Sequence, residues 1–165
     1  TRFTMKKQIL DAIQKNGRYS TEDLAAMLAT DEQTIKKEIK EMEDANVICG
    51  YPTLINWDQT DCELVTALIE VKVTPQRNMG FNKVAERIYR FEEVESVYLM
   101  SGGFDLTVVI QGKSMKEVAR FVSEKLSTLE SVNSTSTYFV LTKYKEHGLI
   151  MSDEKHESER MLITP

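Results

Sequence analysis

Residues 19–48, YSTEDLAAMLATDEQTIKKEIKEMEDANVI, leave this chain little freedom, because they write two short helices with a tight joint and divide the surface of the second. Ser20 is the expected N-cap of the first helix, with Asp23 in the return position of a capping box and Tyr19 and Leu24 at the spacing of a hydrophobic staple. Its apolar side is Leu24, Met27 and Leu28. Thr30 and Gln33 repeat the box as T-x-x-Q, which starts the second helix just beyond Ala29. Helices so closely joined must cross steeply. On the second, Ile35, Ile39 and Met42 fall at i, i+4, i+7, while Gln33, Lys36, Lys37 and Lys40 take another face. One stripe packs and the other points outward. A Gln amide can pair with an adenine edge and Lys can hold phosphate or a guanine acceptor, so the outward stripe has the chemistry of a helix that enters the major groove. The plain alternative is a solvated amphipathic helix.

A chain of 165 residues holds one or two small domains, each with a modest core. No apolar run reaches the length of a membrane span, and the opening TRFTMKK lacks the apolar centre of a signal peptide, so a cytoplasmic protein is expected. Cys49 and Cys62 have no zinc-ligand spacing to a histidine and read as reduced apolar residues. His147 and His156 fall in or near a polar tail, and no nucleophile constellation or phosphate-cradling glycine loop is visible. No enzyme, metal site or cofactor is expected. Net charge is −5, with 8 Lys+Arg against 9 Asp+Glu in residues 1–56, so a duplex-binding footprint must be local. Lys36, Lys37 and Lys40 would make it, with Lys6, Lys7 and Arg18 as flanking phosphate contacts. Asp31 and Glu32 suit the helix dipole but would repel phosphate.

Residues 4–16 place Met5, Ile9, Leu10 and Ile13 on one helical face, and Gly17 is expected to supply the left-handed residue that ends it. Three helices then enclose Ile9, Ile13, Leu24, Leu28, Ile35 and Ile39. After Asn46, VICGYPTLINW reads as a short hairpin or wing, broken by Gly50 and Pro52. WDQTD at 57–61 has no apolar period and marks a linker. From Glu63 the alternation is strong: Val65, Ala67, Ile69, Val71 and Val73 share one strand face, and Leu64, Thr66, Leu68, Glu70 and Lys72 the other. A helix over 80–90 carries Phe81, Val84, Ala85 and Ile88 inward. Strands over 94–100 and 104–111 are joined by Ser101, Gly102 and Gly103 as a tight turn. Ser114 caps a helix with Met115, Val118, Ala119, Val122 and Leu126 inward, and a last strand runs over 132–145.

The resulting β-α-β-β-α-β order is the split βαβ, ferredoxin-like arrangement, with both helices on one face of a four-stranded antiparallel sheet. Its other face would carry Leu68, Tyr98, Met100 and Val109, too apolar to leave in water, so a second copy is the expected cover and a homodimer the expected state. From Glu146 the chain is a polar tail in which Met161, Leu162 and Ile163 could add a strand to a free sheet edge.

ILDAIQKNGRYSTEDLA, TIKKEIKEME followed by NVICGY, SGGFDL at 101–106 and TSTYFVL at 135–141 occur in that order, and over about 5–145 the chain resembles the Lrp/AsnC (feast/famine) transcription regulators. The resemblance implies an α+β protein: a winged helix-turn-helix over 1–56, a linker over 57–62, a ferredoxin-like effector-binding and oligomerisation domain over 63–145, and a C-terminal tail over 146–165. It implies double-stranded DNA as a partner, read in the major groove by Gln33, Thr34, Lys36, Lys37 and Lys40. It also implies dimers assembling into rings, typically octamers, with a small effector, most often an amino acid, bound between dimers at the 100–105 turn. The chemistry there agrees: Gly102 and Gly103 leave amides open to a carboxylate, Asp105 could hold an α-ammonium, Met100 borders the turn, and Thr135 and Thr137 could add hydroxyls. A plain hairpin turn whose Asp caps its own backbone is the alternative for those residues. Lys36 and Lys37 stand where members of the family often carry arginine and lack its bidentate fork, which shifts sequence preference toward Gln33, Thr34 and DNA bending. The competing function is a metabolite-sensing oligomer that acts on a protein partner with little DNA binding.

Overall fold

The computed structural model describes residues 2–75 and 77–151, and the chain divides into two compact units, Thr1–Leu54 and Ile55–Pro165. The first unit is α1 (Arg2–Lys15), α2 (Thr21–Met27) and α3 (Glu32–Asp44) around a core of Ile9, Leu24, Ala25, Ile35, Met42 and Ile48, with Ile13, Leu28 and Ile39 packed against it. Each fully buried Ile or Leu in such a core contributes about 1.5–3 kcal/mol.

The expected capping box of α2 is present: Ser20 accepts from the Asp23 amide and Asp23 accepts from the Ser20 amide, each at 3.0 Å. That of α3 is not. Its N-cap is Asp31 rather than Thr30, because the Asp31 carboxylate takes both the Thr34 amide at 2.9 Å and the Thr34 hydroxyl at 2.6 Å. The joint is therefore wider than the T-x-x-Q pattern implies, running over 28–31 with Ala29 in the left-handed region at φ 51. Met27 is exposed rather than part of the apolar side. Gly17 does not adopt positive φ. Instead the Asn16 side chain accepts from the Arg18 amide at 3.0 Å and turns the chain after α1. After α3, Asn46 reverses the chain at φ 55, Ile48 drops into the core, and residues 49–56 form no strand, so the expected hairpin is absent. Gly50 and Pro52 interrupt the β-formers before a ladder can start.

In the second unit, Trp57–Gln59 is a single 3-10 turn, and β1 (Val65–Val73), α4 (Asn82–Tyr89), β2 (Val94–Leu99), β3 (Leu106–Gly112), α5 (Met115–Phe121) and β4 (Val132–Phe139) follow in the expected order. The sheet is ordered β2-β3-β1-β4 with every pair antiparallel, the ferredoxin-like topology. Ala67, Ile69, Val71 and Val73 face the helices and join Val84, Ile88, Leu106, Val108, Ile110, Val118, Phe121 and Leu126 in one core. Ser114 caps α5 as expected, accepting from the Glu117 amide at 3.1 Å.

Two details of the second unit depart from expectation. Met115 and Ala119 are exposed; the inward stripe is Val118 and Phe121, and the wider π turn of Val122–Leu126, closed by the Ser127 amide on the Val122 carbonyl, swings Leu126 into the core. The last long strand ends at Phe139, not near Lys145, and a hairpin of β5 (Lys145–Glu146) and β6 (Leu149–Ile150) follows, turned by His147 at φ 48 and Gly148 at φ 80. Part of the expected polar tail is thus ordered structure. The Met151 amide donates to the Tyr144 carbonyl, and Asn56 donates to the Met151 carbonyl at 2.9 Å. Met161, Leu162, Ile163 and His156 lie outside the described residues.

Candidate functional site

α3 has a divided surface. Ile35, Glu38 and Met42 are buried, while Gln33, Lys36, Lys37 and Lys40 are exposed. Lys36 pairs with Glu32 at 2.9 Å and Lys40 with Asp44 at 3.0 Å, both solvent-exposed i,i+4 pairs that a phosphate can displace at little cost. Lys37 has no ion-pair partner among the described residues. Thr34 is half-buried and its hydroxyl is committed to the Asp31 cap, so it stands less ready to read a base than the outward residues.

The acidic start of α3 is organised rather than loose. Hydrogen bonds from the Thr34 hydroxyl and amide hold the Asp31 carboxyl below the ordinary carboxylate range, and Lys36, with the Thr21 hydroxyl, does the same for Glu32. The Thr21 hydroxyl donates to Glu32 at 2.7 Å and ties α2 to α3. Lys6 does not face solvent as a flanking phosphate contact. Its ammonium lies 3.0 Å from Glu41 and 3.5 Å from the buried Glu38, a clamp between α1 and α3, because two carboxylates on the inner side of α3 need a cation close by. Lys7 is paired with Asp11 at 2.7 Å on α1 itself.

In the second unit, β2 and β3 are joined by a loop over 100–105 rather than by a tight turn at 101–103. The Met100 amide donates to the Asp105 carbonyl at 2.8 Å and closes it. Ser101, Gly102 and Gly103 are exposed, and Met100 borders them. Neither glycine lies in the left-handed region, and a Cβ built on either meets nothing within 4 Å. The fold of one chain therefore does not demand glycine here. Asp105 differs from its neighbours: its Oδ2 accepts the Val73 amide at 2.9 Å. Thr135 and Thr137 lie opposite Val71 and Ile69, on the helix-covered side of the sheet at its β4 edge. With strands about 4.8 Å apart, Thr135 sits about 10 Å from β3 and further from β2, so one chain does not bring these threonines to the loop.

The sheet face away from the helices exposes Leu68, Tyr98 and Tyr138, with Met100 at its margin. At the opposite end of the sheet from the loop, a shallow cleft of about 70 Å³ lies among Asn56, Trp57, Thr66, Gln111, Thr142 and Lys143. Sequence reasoning missed it because its walls come from segments far apart in the chain, none with a periodicity of its own.

Comparison with known proteins fits both regions. Residues 4–48 match the family description winged helix-turn-helix DNA-binding, and residues 66–150 match Lrp/AsnC ligand binding domain. The uncharacterized HTH-type transcriptional regulator YugG of Bacillus subtilis is 50% identical over 159 residues, which span 96% of this chain and 95% of that protein. The leucine-responsive regulatory protein of Haemophilus influenzae is 27% identical over 144 residues, 87% of this chain and 94% of its own. The crystal structure of a transcriptional regulator from Neisseria meningitidis in complex with L-Met superimposes with a TM-score of 0.68 at 23% identity, covering 86% of this chain and 91% of that one, a likeness of fold. With a helix-turn-helix unit, an antiparallel sheet domain and relatives matched over nearly their full length, the chain belongs to the Lrp/AsnC family of DNA-binding transcriptional regulators with a ligand-binding domain.

Proposed function

We propose that α3 enters the major groove of double-stranded DNA with Gln33, Lys36, Lys37 and Lys40 toward the duplex and Thr34 holding the start of the helix, and that a free amino acid bound at the 100–105 loop modulates this. The observation that carries the reading is the division of α3: its apolar side is spent on the core of the first unit, which leaves Gln33, Lys36, Lys37 and Lys40 together on an exposed face. Lysines on that face supply phosphate contacts, and the Gln33 amide can read a base edge.

For the effector, the support is the glycine pair. A backbone that would tolerate side chains yet carries none leaves room for something outside the chain, and exposed amides at Gly102 and Gly103 suit a carboxylate. Met100 offers an apolar wall beside them. Thr135 and Thr137 can join this site only from another copy. That need agrees with assembly through the apolar sheet face of Leu68, Tyr98 and Tyr138 into dimers, and of dimers into an octameric ring. An effector between dimers would change the spacing of the DNA-binding heads, and several heads on one ring would offset the modest grip of lysine-based contacts. Such a regulator works in the cytoplasm, beside its DNA.

The test is a pair of measurements on the full chain. DNA affinity for the promoter of its own operon should fall steeply between low and moderate salt, as released counterions require. A melting-temperature screen with the twenty amino acids should show a rise with a small subset. Affinity indifferent to salt would contradict the DNA reading, and a flat screen would contradict the effector reading.

A further inference from the structure

Three main-chain and side-chain bonds converge on Asp105. Its N–H donates to the Val71 carbonyl at 3.1 Å, its carbonyl accepts the Met100 N–H at 2.8 Å, and its Oδ2 accepts the Val73 N–H at 2.9 Å. The last paired residues of β1 and β3 are Val71 and Leu106. Continuing that register would set Val73 opposite Phe104 and require a carbonyl of the loop to meet the Val73 N–H. The Asp105 carboxylate takes that donor instead. Because the N–H is satisfied by a side chain, the main chain at 101–104 is released from the ladder while both ends of the loop stay pinned.

We propose that Asp105 is the positioning residue of the effector loop, and not the partner of the effector's ammonium group. Its carboxylate stands in for the strand carbonyl at the end of β1 and so keeps the Gly102 and Gly103 amides out of the sheet and open to a ligand. This deepens, and rests on, the reading of the 100–105 loop as the effector site. The role needs an acceptor at this position and no charge. An ammonium partner, by contrast, needs the charge.

The difference is measurable on the full chain with Asp105→Asn, which keeps an acceptor oxygen, and Asp105→Ala, which has none. Amide hydrogen exchange at Val73 reads the latch without any ligand. Protection at Val73 should persist in Asp105→Asn and fall at least tenfold in Asp105→Ala. The melting-temperature rise given by an equimolar mixture of the twenty amino acids should persist in Asp105→Asn and be lost in Asp105→Ala. Val73 protection that survives Asp105→Ala overturns the latch. So does an Asp105→Asn protein that keeps the protection but loses the amino-acid response, because that pattern belongs to a charged ligand contact. Gly102→Val separates the two readings: if it leaves the amino-acid response intact, the loop is not the effector site, while the exchange at Val73 still decides whether Asp105 is the latch.

Discussion

α3 and the 100–105 loop present their outward chemistry in different ways. α3 does so through side chains: between its ends the backbone amides and carbonyls are used up within the helix, and the exposed face of Gln33, Lys36, Lys37 and Lys40 offers an amide and three ammonium groups. The loop does so through main chain: Gly102 and Gly103 bring no side chain, and the loop's own carboxylate, Asp105, is engaged with the Val73 amide. A surface of the first kind should respond to changes of charge and be indifferent to small changes of shape. A surface of the second kind should respond to added volume and be indifferent to charge.

The largest test of this contrast removes the support of one surface and leaves the other. Ile35 is fully buried in the small core of the first unit. Ile35→Ala should cost about 3 kcal/mol, enough to melt much of that unit and abolish DNA binding, while the sheet signal and the amino-acid response of the second unit remain. Circular dichroism and the melting-temperature screen check it. Next, Lys36→Glu with Lys37→Glu should weaken DNA binding about a hundredfold and flatten its salt dependence, with no effect on the amino-acid response. Gly102→Val should do the reverse, lowering effector affinity about tenfold while the melting temperature without effector stays put, since the added Cβ meets nothing within 4 Å. Isothermal titration against the amino acid that scores in the screen reads this directly.

A smaller effect concerns how α3 is held. Ser20→Ala removes the acceptor for the Asp23 amide and should destabilise the first unit by about 1 kcal/mol in urea titration. The smallest is a pH effect. Asp23, Asp31 and Glu32 are all held below the ordinary carboxylate range by hydrogen bonds in the folded state, so their contribution is fully present above about pH 4.5 and is lost as pH falls through their lowered folded values. In the second unit Glu93 is lowered, by Lys125. As pH falls below about 4, amide exchange at the starts of α2 and α3, where Asp23, Asp31 and Glu32 sit, should therefore rise.

The same contrast explains what could be read from the chain alone. The sheet order, the inward face of β1 and the outward lysines of α3 are properties of side-chain periodicity, and they stand where the alternation of Val65, Ala67, Ile69, Val71 and Val73 and the 3.6-residue spacing of Ile35, Ile39 and Met42 put them. Errors gathered where main chain decides. Asp31 outcompeted Thr30 for the start of α3 because one carboxylate satisfies two donors of Thr34. Asn16 replaced Gly17 at the end of α1. The π turn in 122–126 moved the inward stripe of α5 off Ala119. At the candidate effector site, the sequence offered Asp105 both as a ligand contact and as a cap on backbone, and the fold decides between them by bringing the Val73 amide, 32 residues away in the chain, to its carboxylate.

The most direct test of the central claim is chemical footprinting of lysines on the wild-type chain, with and without promoter DNA. Lys36, Lys37 and Lys40 should lose reactivity when DNA binds, while the exposed Lys83 and Lys116 of the second unit keep theirs. Protection at Lys83 or Lys116 with α3 reacting as before would contradict the account.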